Sequence, residues 1–250
     1  MRTVGIIPAR YGSTRFPGKP LASILGKPMI QRVYEQSSAA SFLDEVIVAT
    51  DDERILAAVR EFGGKAAMTS GSARNGTERI AEVAQTLDAA LVVNIQGDEP
   101  VIDPEAINEL VRAMKDERVA PVGTLVKPVR DARVLTNPNI AKVVVDDGNY
   151  AIYFSRSAIP YLRDRGDMTD WVRYFPYYQH IGLYIYRREF LLEMVTWAPS
   201  KLEEAEQLEQ LRVIEHGFKI KVAVTESDSI SVDVPEDIFK VEQHLKGRTT

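Results

Sequence analysis

Val4-Gly5-Ile6-Ile7-Pro8-Ala9-Arg10-Tyr11-Gly12-Ser13-Thr14-Arg15-Phe16-Pro17-Gly18-Lys19-Pro20 is the stretch on which the fold turns. Residues 4–7 form a short apolar run that reads as a buried strand, and they open into a loop holding three cations among small residues and prolines. Gly12 and Gly18 let the backbone come close to a ligand, Pro17 and Pro20 restrict the loop, and Arg10, Arg15 and Lys19 supply fixed positive charge. In outline this is a grip for a polyphosphate; the competing reading is a solvated basic loop at a strand end. It is not a Walker A loop, which needs four residues between its first glycine and Gly-Lys, then a hydroxyl residue on magnesium. Here five residues separate Gly12 from Gly18, and Pro20 stands where the hydroxyl belongs. Any metal must therefore be held elsewhere.

Outward from that stretch, strand-like and helix-like segments alternate. Residues 28–40 suit a helix, 45–50 a second buried strand ending at Asp51-Asp52, 54–62 a helix stopped by Gly63-Gly64, and 65–69 a weak third strand. The turn-rich loop 70–76 precedes a helix with Ile80, Val83, Ala84 and Leu87 on one face. Residues 90–95 form a fourth strand that runs into Gln96-Gly97-Asp98-Glu99-Pro100. Asp103-Pro104 caps a helix with the buried stripe Ile107, Leu110, Val111 and Met114. Such alternation builds right-handed crossovers and a mostly parallel sheet covered on both faces, with ligands at the carboxyl ends of its strands. That gathers Arg10, Asp51, the 70–77 loop and Asp98 around one crevice.

Beyond residue 118 the pattern becomes β-rich: 119–126, 141–145 and 150–154 are strand-like, with Asp146-Asp147-Gly148-Asn149 as a hairpin turn. Residues 160–178 are irregular and rich in charge and aromatics, 179–186 form a strand, 188–197 and 202–217 helices, 219–224 a strand, and helix returns after Asp237. The expectation is one domain over 1–250, with a β-rich insertion at 119–187 whose exposed aromatics suit a subunit interface or a lid.

Composition narrows the function classes. The chain has 250 residues, 45% of them hydrophobic, which suffices for a substantial core. A net charge of −5 argues against nucleic acid as a partner. Without cysteine there is no disulfide framework, thiolate catalyst or zinc–thiolate site. No apolar stretch approaches membrane-spanning length and no secretory segment precedes the first strand, so the expectation is a soluble intracellular protein without a membrane partner.

Two strand-end aspartates stand out. Asp98 follows a buried strand and faces the expected crevice, with a turn residue as its plainer reading; Asp233, in Val232-Asp233-Val234-Pro235, has a helix cap as its plainer reading. Sharing a pocket with three cations, they would hold magnesium, the magnesium would hold phosphate oxygens, and the cations would neutralise the remainder. His180 reads as a general base or as a packed core residue. Arg156 reads as a fork for a carboxylate ligand or as half of a surface ion pair. Glu203, Glu204, Glu206 and Glu209 mark a charged, mostly solvated helix face.

The opening loop is joined by Asn75-Gly76-Thr77-Glu78-Arg79, Gln96-Gly97-Asp98-Glu99-Pro100, Tyr153-Phe154-Ser155-Arg156, His180-Ile181-Gly182-Leu183-Tyr184, Leu208-Glu209-Gln210-Leu211-Arg212 and Val232-Asp233-Val234-Pro235-Glu236-Asp237. These seven motifs, in this order over nearly the whole chain, resemble the 3-deoxy-manno-octulosonate cytidylyltransferases, or CMP-Kdo synthetases. The resemblance implies a Rossmann-like nucleotidyltransferase fold, a homodimer, and transfer of CMP from CTP to Kdo with release of pyrophosphate, for lipopolysaccharide assembly in the cytoplasm. It assigns Arg10, Arg15 and Lys19 to the triphosphate, and Ala9 with Ser70, Asn75, Gly76 and Thr77 to the cytosine side, although that family usually carries a small residue where this chain has Asn75. It assigns Asp98 and Asp233 to magnesium, and Gln96, Arg156, His180, Tyr184, Glu209 and Gln210 to the sugar; the pairing of Arg156 with the Kdo carboxylate follows from charge. Lys19, Arg10, Asp98 and Asp233 are the expected catalytic set. The rival readings are a cytidylyltransferase for another acidic sugar, such as sialic acid or an 8-amino Kdo analogue, and a module that binds CTP without turnover.

Overall fold

A computed structural model describes residues 1–12, 15–228 and 230–247; Ser13 and Thr14 of the opening loop lie outside the described residues. In chain order the elements are β1 (Thr3–Ala9), β2 (Ser23–Ile24), β3 (Lys27–Pro28), α1 (Met29–Ser38), β4 (Glu45–Thr50), α2 (Glu53–Glu61), β5 (Ala66–Met68), α3 (Gly76–Gln85), β6 (Leu91–Asn94), α4 (Pro104–Lys115) and β7 (Val122–Pro128). They continue with α5 (Arg133–Thr136), β8 (Lys142–Val145), β9 (Ala151–Ser155), β10 (Tyr178–Arg187), α6 (Arg188–Met194), α7 (Lys201–Glu206), α8 (Leu211–Glu215), β11 (Ile220–Val224) and α9 (Asp237–Gly247).

The main path of the sheet runs β11-β7-β10-β6-β1-β4-β5. β1 pairs in parallel with both β4 and β6, β4 with β5, and β11 with β7, while β10 is antiparallel to both of its neighbours. The sheet is therefore mostly parallel, as the alternation of elements requires. From β1 the chain goes outward to β4 and β5, then returns to lay β6 on the other flank. That reversal opens a crevice at the carboxyl ends of β1 and β6.

β1 is apolar on both faces because it lies at the centre: Val4, Ile6 and Ile7 have no exposed surface. Ile7, Val93 and Leu125 pack on one side of the sheet with Met29, Ile30, Ile55, Ile107 and Leu110 from α1, α2 and α4. Val4, Ile6 and Val92 pack on the other with Ile80, Phe190, Leu191 and Val213 from α3, α6 and α8. Three helix starts are fixed by side-chain caps of the expected type: Asp52 accepts from Arg54 N at 2.9 Å, Asn75 from Glu78 N at 2.8 Å, and Asp103 from Glu105 N at 2.9 Å. Among the described residues, no helix is long and apolar enough to cross a membrane.

Three features differ from the sequence expectations. Within residues 119–187, β7 and β10 belong to the central sheet, and the β8–β9 hairpin joins it as a branch, β8 pairing with the start of β10. Residues 202–217 form two helices, because Gln207 takes a left-handed conformation (φ 53°) and ends α7 before Leu208. The aromatics of 160–178 are only partly exposed. Trp171 and Tyr177 are buried with Val129 and Leu135 in a small separate core, while Tyr161 and Tyr174 remain outside. Trp171 Nε1 donates to the Arg165 carbonyl at 2.9 Å and Tyr177 Oη to the Pro160 carbonyl at 2.6 Å, so each buried ring also satisfies its polar atom.

Since this small core shares no buried residue with the two main ones, Trp171→Ala should open residues 156–177 and leave the sheet folded. Removal of a buried tryptophan costs about 3–5 kcal/mol. Limited proteolysis should cut the variant first within that segment, with near-native circular dichroism. A cleavage pattern identical to the parent's would refute a local anchoring role.

Candidate active site

The crevice at the ends of β1 and β6 is a cleft of about 430 Å³. Its floor is Pro8, Ala9 and Gly97. A Cβ on Gly97 would lie 2.7 Å from the Pro8 carbonyl oxygen, so the close approach of these strand ends requires glycine there. After Arg10 the chain folds back: Gly18, at φ 71°, donates its amide to the Tyr11 carbonyl at 2.9 Å, and Lys19–Leu21 form a short 3-10 turn. Tyr11 is covered by the Arg54 guanidinium, 3.3 Å from the ring centroid, which ties the loop to the start of α2.

Along one wall, Lys19 Nζ donates to Asp98 Oδ2 at 2.8 Å and to the Val232 carbonyl at 2.9 Å. The Val232 amide in turn donates to the Asp98 carbonyl at 2.9 Å. Arg15 Nη2 donates to Asp233 Oδ1 at 2.9 Å. Asp98 and Asp233 thus lie on adjoining backbone segments and line the same cleft, each carboxylate carrying one of the predicted phosphate cations. Asp233 bonds to Arg15 instead of capping a helix. Asp237 accepts the amides of Asp233 and Val234, and its pKa is lowered to about 2, chiefly by the Lys240 ammonium.

The facing wall is the loop before α3 and its first turn: Ala73, Arg74, Asn75, Gly76 and Arg79. Arg79 lines the cleft and was not among the site residues expected from the sequence. Its buried guanidinium donates to Asp51 Oδ2 at 2.8 Å and to Thr69 Oγ1, and it reaches the cleft from beneath. A cation four residues after a capping Asn, opposite a strand-end aspartate, was the available signal. Ser70 and Thr77 do not line the cleft: Ser70 N and Oγ bond to Glu82 at 2.7 and 2.5 Å, and Thr77 Oγ1 donates to Glu209 Oε2 at 2.5 Å.

The residues predicted for a sugar gather partly. Gln96 lines the cleft and donates from Nε2 to the Gly182 carbonyl at 3.2 Å, beside an irregularity in β10 between Ile181 and Tyr184. His180 Nε2 lies 2.9 Å from Thr124 Oγ1, and its ring meets Phe154 edge-on and packs against Tyr184. Burial lowers its pKa to about 3, and its contacts with Thr124, Phe154 and Tyr184 support the packed reading over a general base. Tyr184 stacks with Tyr186, and burial raises its pKa, helped by the nearby Glu209. Glu209 sits in the turn between α7 and α8, off the helix face expected for it, and burial raises its pKa. Gln210, next to it, is buried with its Nε2 unpartnered.

Arg156 is neither a free fork nor half of an ion pair. Its guanidinium donates to the carbonyls of Glu206 (2.7 Å), Pro138 (2.9 Å) and Gln207 (3.2 Å), and it does not line the cleft. No group of three or more His, Asp or Glu side chains converges on a point among the described residues. Among the described residues, Asp98 and Asp233 are the carboxylates that line the cleft.

With this geometry in view, the chain can be set beside known proteins. A family model described as cytidylyltransferase matches residues 4–221. The 3-deoxy-manno-octulosonate cytidylyltransferase of Geotalea daltonii is 52% identical over 252 residues, covering 99% of this chain and 100% of the relative. That of Solibacter usitatus is 47% identical, covering 98% and 95%. A CMP:2-keto-3-deoxy-manno-octonic acid synthetase solved with CTP superposes with a TM-score of 0.92 at 41% identity, over 99% of this chain and 100% of that one. A 4-diphosphocytidyl-2C-methyl-D-erythritol synthase from Anaerococcus prevotii, 15% identical with a TM-score of 0.64, shares the fold alone. By family model, full-length identity and superposition alike, the chain belongs to the 3-deoxy-manno-octulosonate cytidylyltransferases.

Proposed function

We propose that this protein transfers CMP from CTP to the anomeric hydroxyl of Kdo, releases pyrophosphate, and depends on magnesium. The observation that carries the reading is the pairing of Lys19 with Asp98 and of Arg15 with Asp233 along one wall of the cleft, in a chain with full-length kinship to Kdo cytidylyltransferases. Before substrate arrives, cations and carboxylates neutralise one another. A nucleotide triphosphate offers the cations a better anion, and a divalent ion offers the carboxylates a better cation. The donor set fits magnesium, which is commonly held by one or two carboxylates with substrate phosphates and water completing its shell. Asp98 and Asp233 would hold it, and when bound it supplies charge neutralisation to phosphate oxygens and lowers the pKa of an attacking alcohol.

The protein's own part is placement and electrostatics. Arg10, Arg15 and Lys19, which line the cleft, would hold the triphosphate, and Ala9 and Gly76 would lie close to the base. The anomeric oxygen of Kdo attacks the α-phosphorus in line, the bond from that phosphorus to the bridging oxygen breaks, and the hydroxyl proton leaves to solvent. The cations stabilise the charge arriving on pyrophosphate. Gln96, Tyr184, Glu209 and Gln210 would bind the sugar, and the buried, unpartnered Gln210 amide suits an acceptor on that ligand. His180 would contribute a hydrogen bond and packing. The same reading assigns the product to lipopolysaccharide assembly in the cytoplasm and the chain to a homodimer; family membership is the support for both.

Lys19→Ala and Asp98→Asn should each lower turnover by about a hundredfold or more with the fold intact, the usual loss when one transition-state donor is removed. Pyrophosphate release from CTP and Kdo measures this, and near-normal turnover in either variant would remove that residue from the mechanism. Chelation should abolish the wild-type signal and added magnesium restore it; full activity in excess chelator would exclude the metal. In competition, Kdo should be consumed ahead of sialic acid and of the 8-amino analogue.

A further inference from the structure

Asn75 was expected on the nucleotide side, yet both ends of its side chain are already engaged. The Glu78 amide donates to its Oδ1 at 2.8 Å, which fixes that atom as the oxygen and turns Nδ2 outward, where it donates to Glu209 Oε1 at 3.0 Å. Two residues on, Thr77 Oγ1 donates to Glu209 Oε2 at 2.5 Å. Each oxygen of the Glu209 carboxylate is thus held from the start of α3, across 134 and 132 positions of sequence. One bond would leave the carboxylate free to swing about it; two fix its plane. Each oxygen keeps a lone pair for a further donor, and Glu209 lies close enough to Tyr184 to influence its ionisation electrostatically. The turn that carries Glu209 is short and begins at the left-handed Gln207, so it has little helix of its own to hold it.

We propose that Asn75 is a positioning residue for the sugar acceptor: its amide, with Thr77, clamps Glu209 in the orientation that receives sugar hydroxyls, and its side chain does not read the nucleotide. The proposal rests on the function assigned above and deepens it. It gives the asparagine a specific task in this chain, a hydrogen bond that a smaller residue could not reach across to make.

Two substitutions separate the clamp from the helix cap, because Ser and Asp are both good caps. Asn75→Ser keeps the bond to the Glu78 amide and is too short to reach Glu209. Asn75→Asp keeps it too, and sets a second carboxylate against Glu209. The melting temperature of both should stay near the parent's. Asn75→Ser should raise KM for Kdo about tenfold, the scale of one lost hydrogen bond to a charged group, with KM for CTP changed by no more than about twofold. Asn75→Asp should raise KM for Kdo further. Hydrogen exchange across residues 207–211 should accelerate in both variants without any substrate present. An unchanged KM for Kdo, a rise in KM for CTP equal to or larger than that for Kdo, or unchanged exchange at 207–211 would each overturn the clamp. Should the parent fail to release pyrophosphate with Kdo, the function assigned above falls, while the exchange measurement still decides whether the clamp exists.

Discussion

The Lys19 ammonium is the contact on which the arrangement of the cleft depends. Its side chain is only 17% exposed, and such a charge is tolerable there because it donates at once to the Asp98 carboxylate and the Val232 carbonyl. Those partners come from the end of β6 and the approach to α9, 79 and 213 positions away in sequence. One side chain therefore draws the opening loop, a central strand end and the last segment of the chain onto a common wall. The Val232 amide bond to the Asp98 carbonyl closes the same triangle through the backbone. Without the ammonium, Asp98 would lose its counter-charge and the opening loop its tie to this wall, while the backbone bond between Val232 and Asp98 would remain.

The second constraint is the direction of β10. In a wholly parallel sheet, only strand C-termini and the loops that follow would meet the ligand crevice. β10 runs the other way between β6 and β7, pairing Tyr184 with Asn94 and His180 with Val126, so the residues before Tyr184 extend past the end of β6. That extension brings Gly182 within reach of Gln96. The reversed strand thereby ties its Gly182 to the cleft residue Gln96, and the start of α3 is joined to the turn after α7 where Asn75 and Thr77 meet Glu209.

Much of this was legible in the sequence, for identifiable reasons. β1, β4 and β6 are central, so their apolar runs are nearly continuous, and each ends in residues that favour loops; Asp103 before Pro104 marked the start of α4 by local chemistry alone. Asp98 and Asp233 were visible as strand-end acids beside a basic loop, and they do share its cleft. What escaped depended on tertiary partners. Residues 202–217 carry no Gly or Pro before Gly217, so propensity favoured one helix; the break at Gln207 serves long-range bonds from Arg156 and to Glu209. Trp171 and Tyr177 looked like surface aromatics in an irregular stretch, because nothing local shows that Val129 and Leu135 come to cover them.

Arg156 differs from the cleft cations in what holds it, and the difference has a physical consequence. Arg15 leans on the Asp233 carboxylate, and Lys19 on the Asp98 carboxylate and one main-chain carbonyl, that of Val232. A carboxylate can release its cation when a metal ion takes its place, and such an exchange would leave no carboxylate without a counter-charge. Arg156 and Lys142 lean on main-chain carbonyls instead: Arg156 on those of 138, 206 and 207, and Lys142, fully buried with its pKa lowered first by burial and then by the neighbouring Arg156, on those of 137, 140 and 156. A carbonyl finds no substitute for such a donor without unfolding its segment or admitting water. To recruit Arg156 for a ligand, the chain would have to give up the bonds that hold the end of α7 and, beyond it, the turn that presents Glu209. A sequence displays the sign of every charge but not its partner, and here the partner decides which cations are available for substrate.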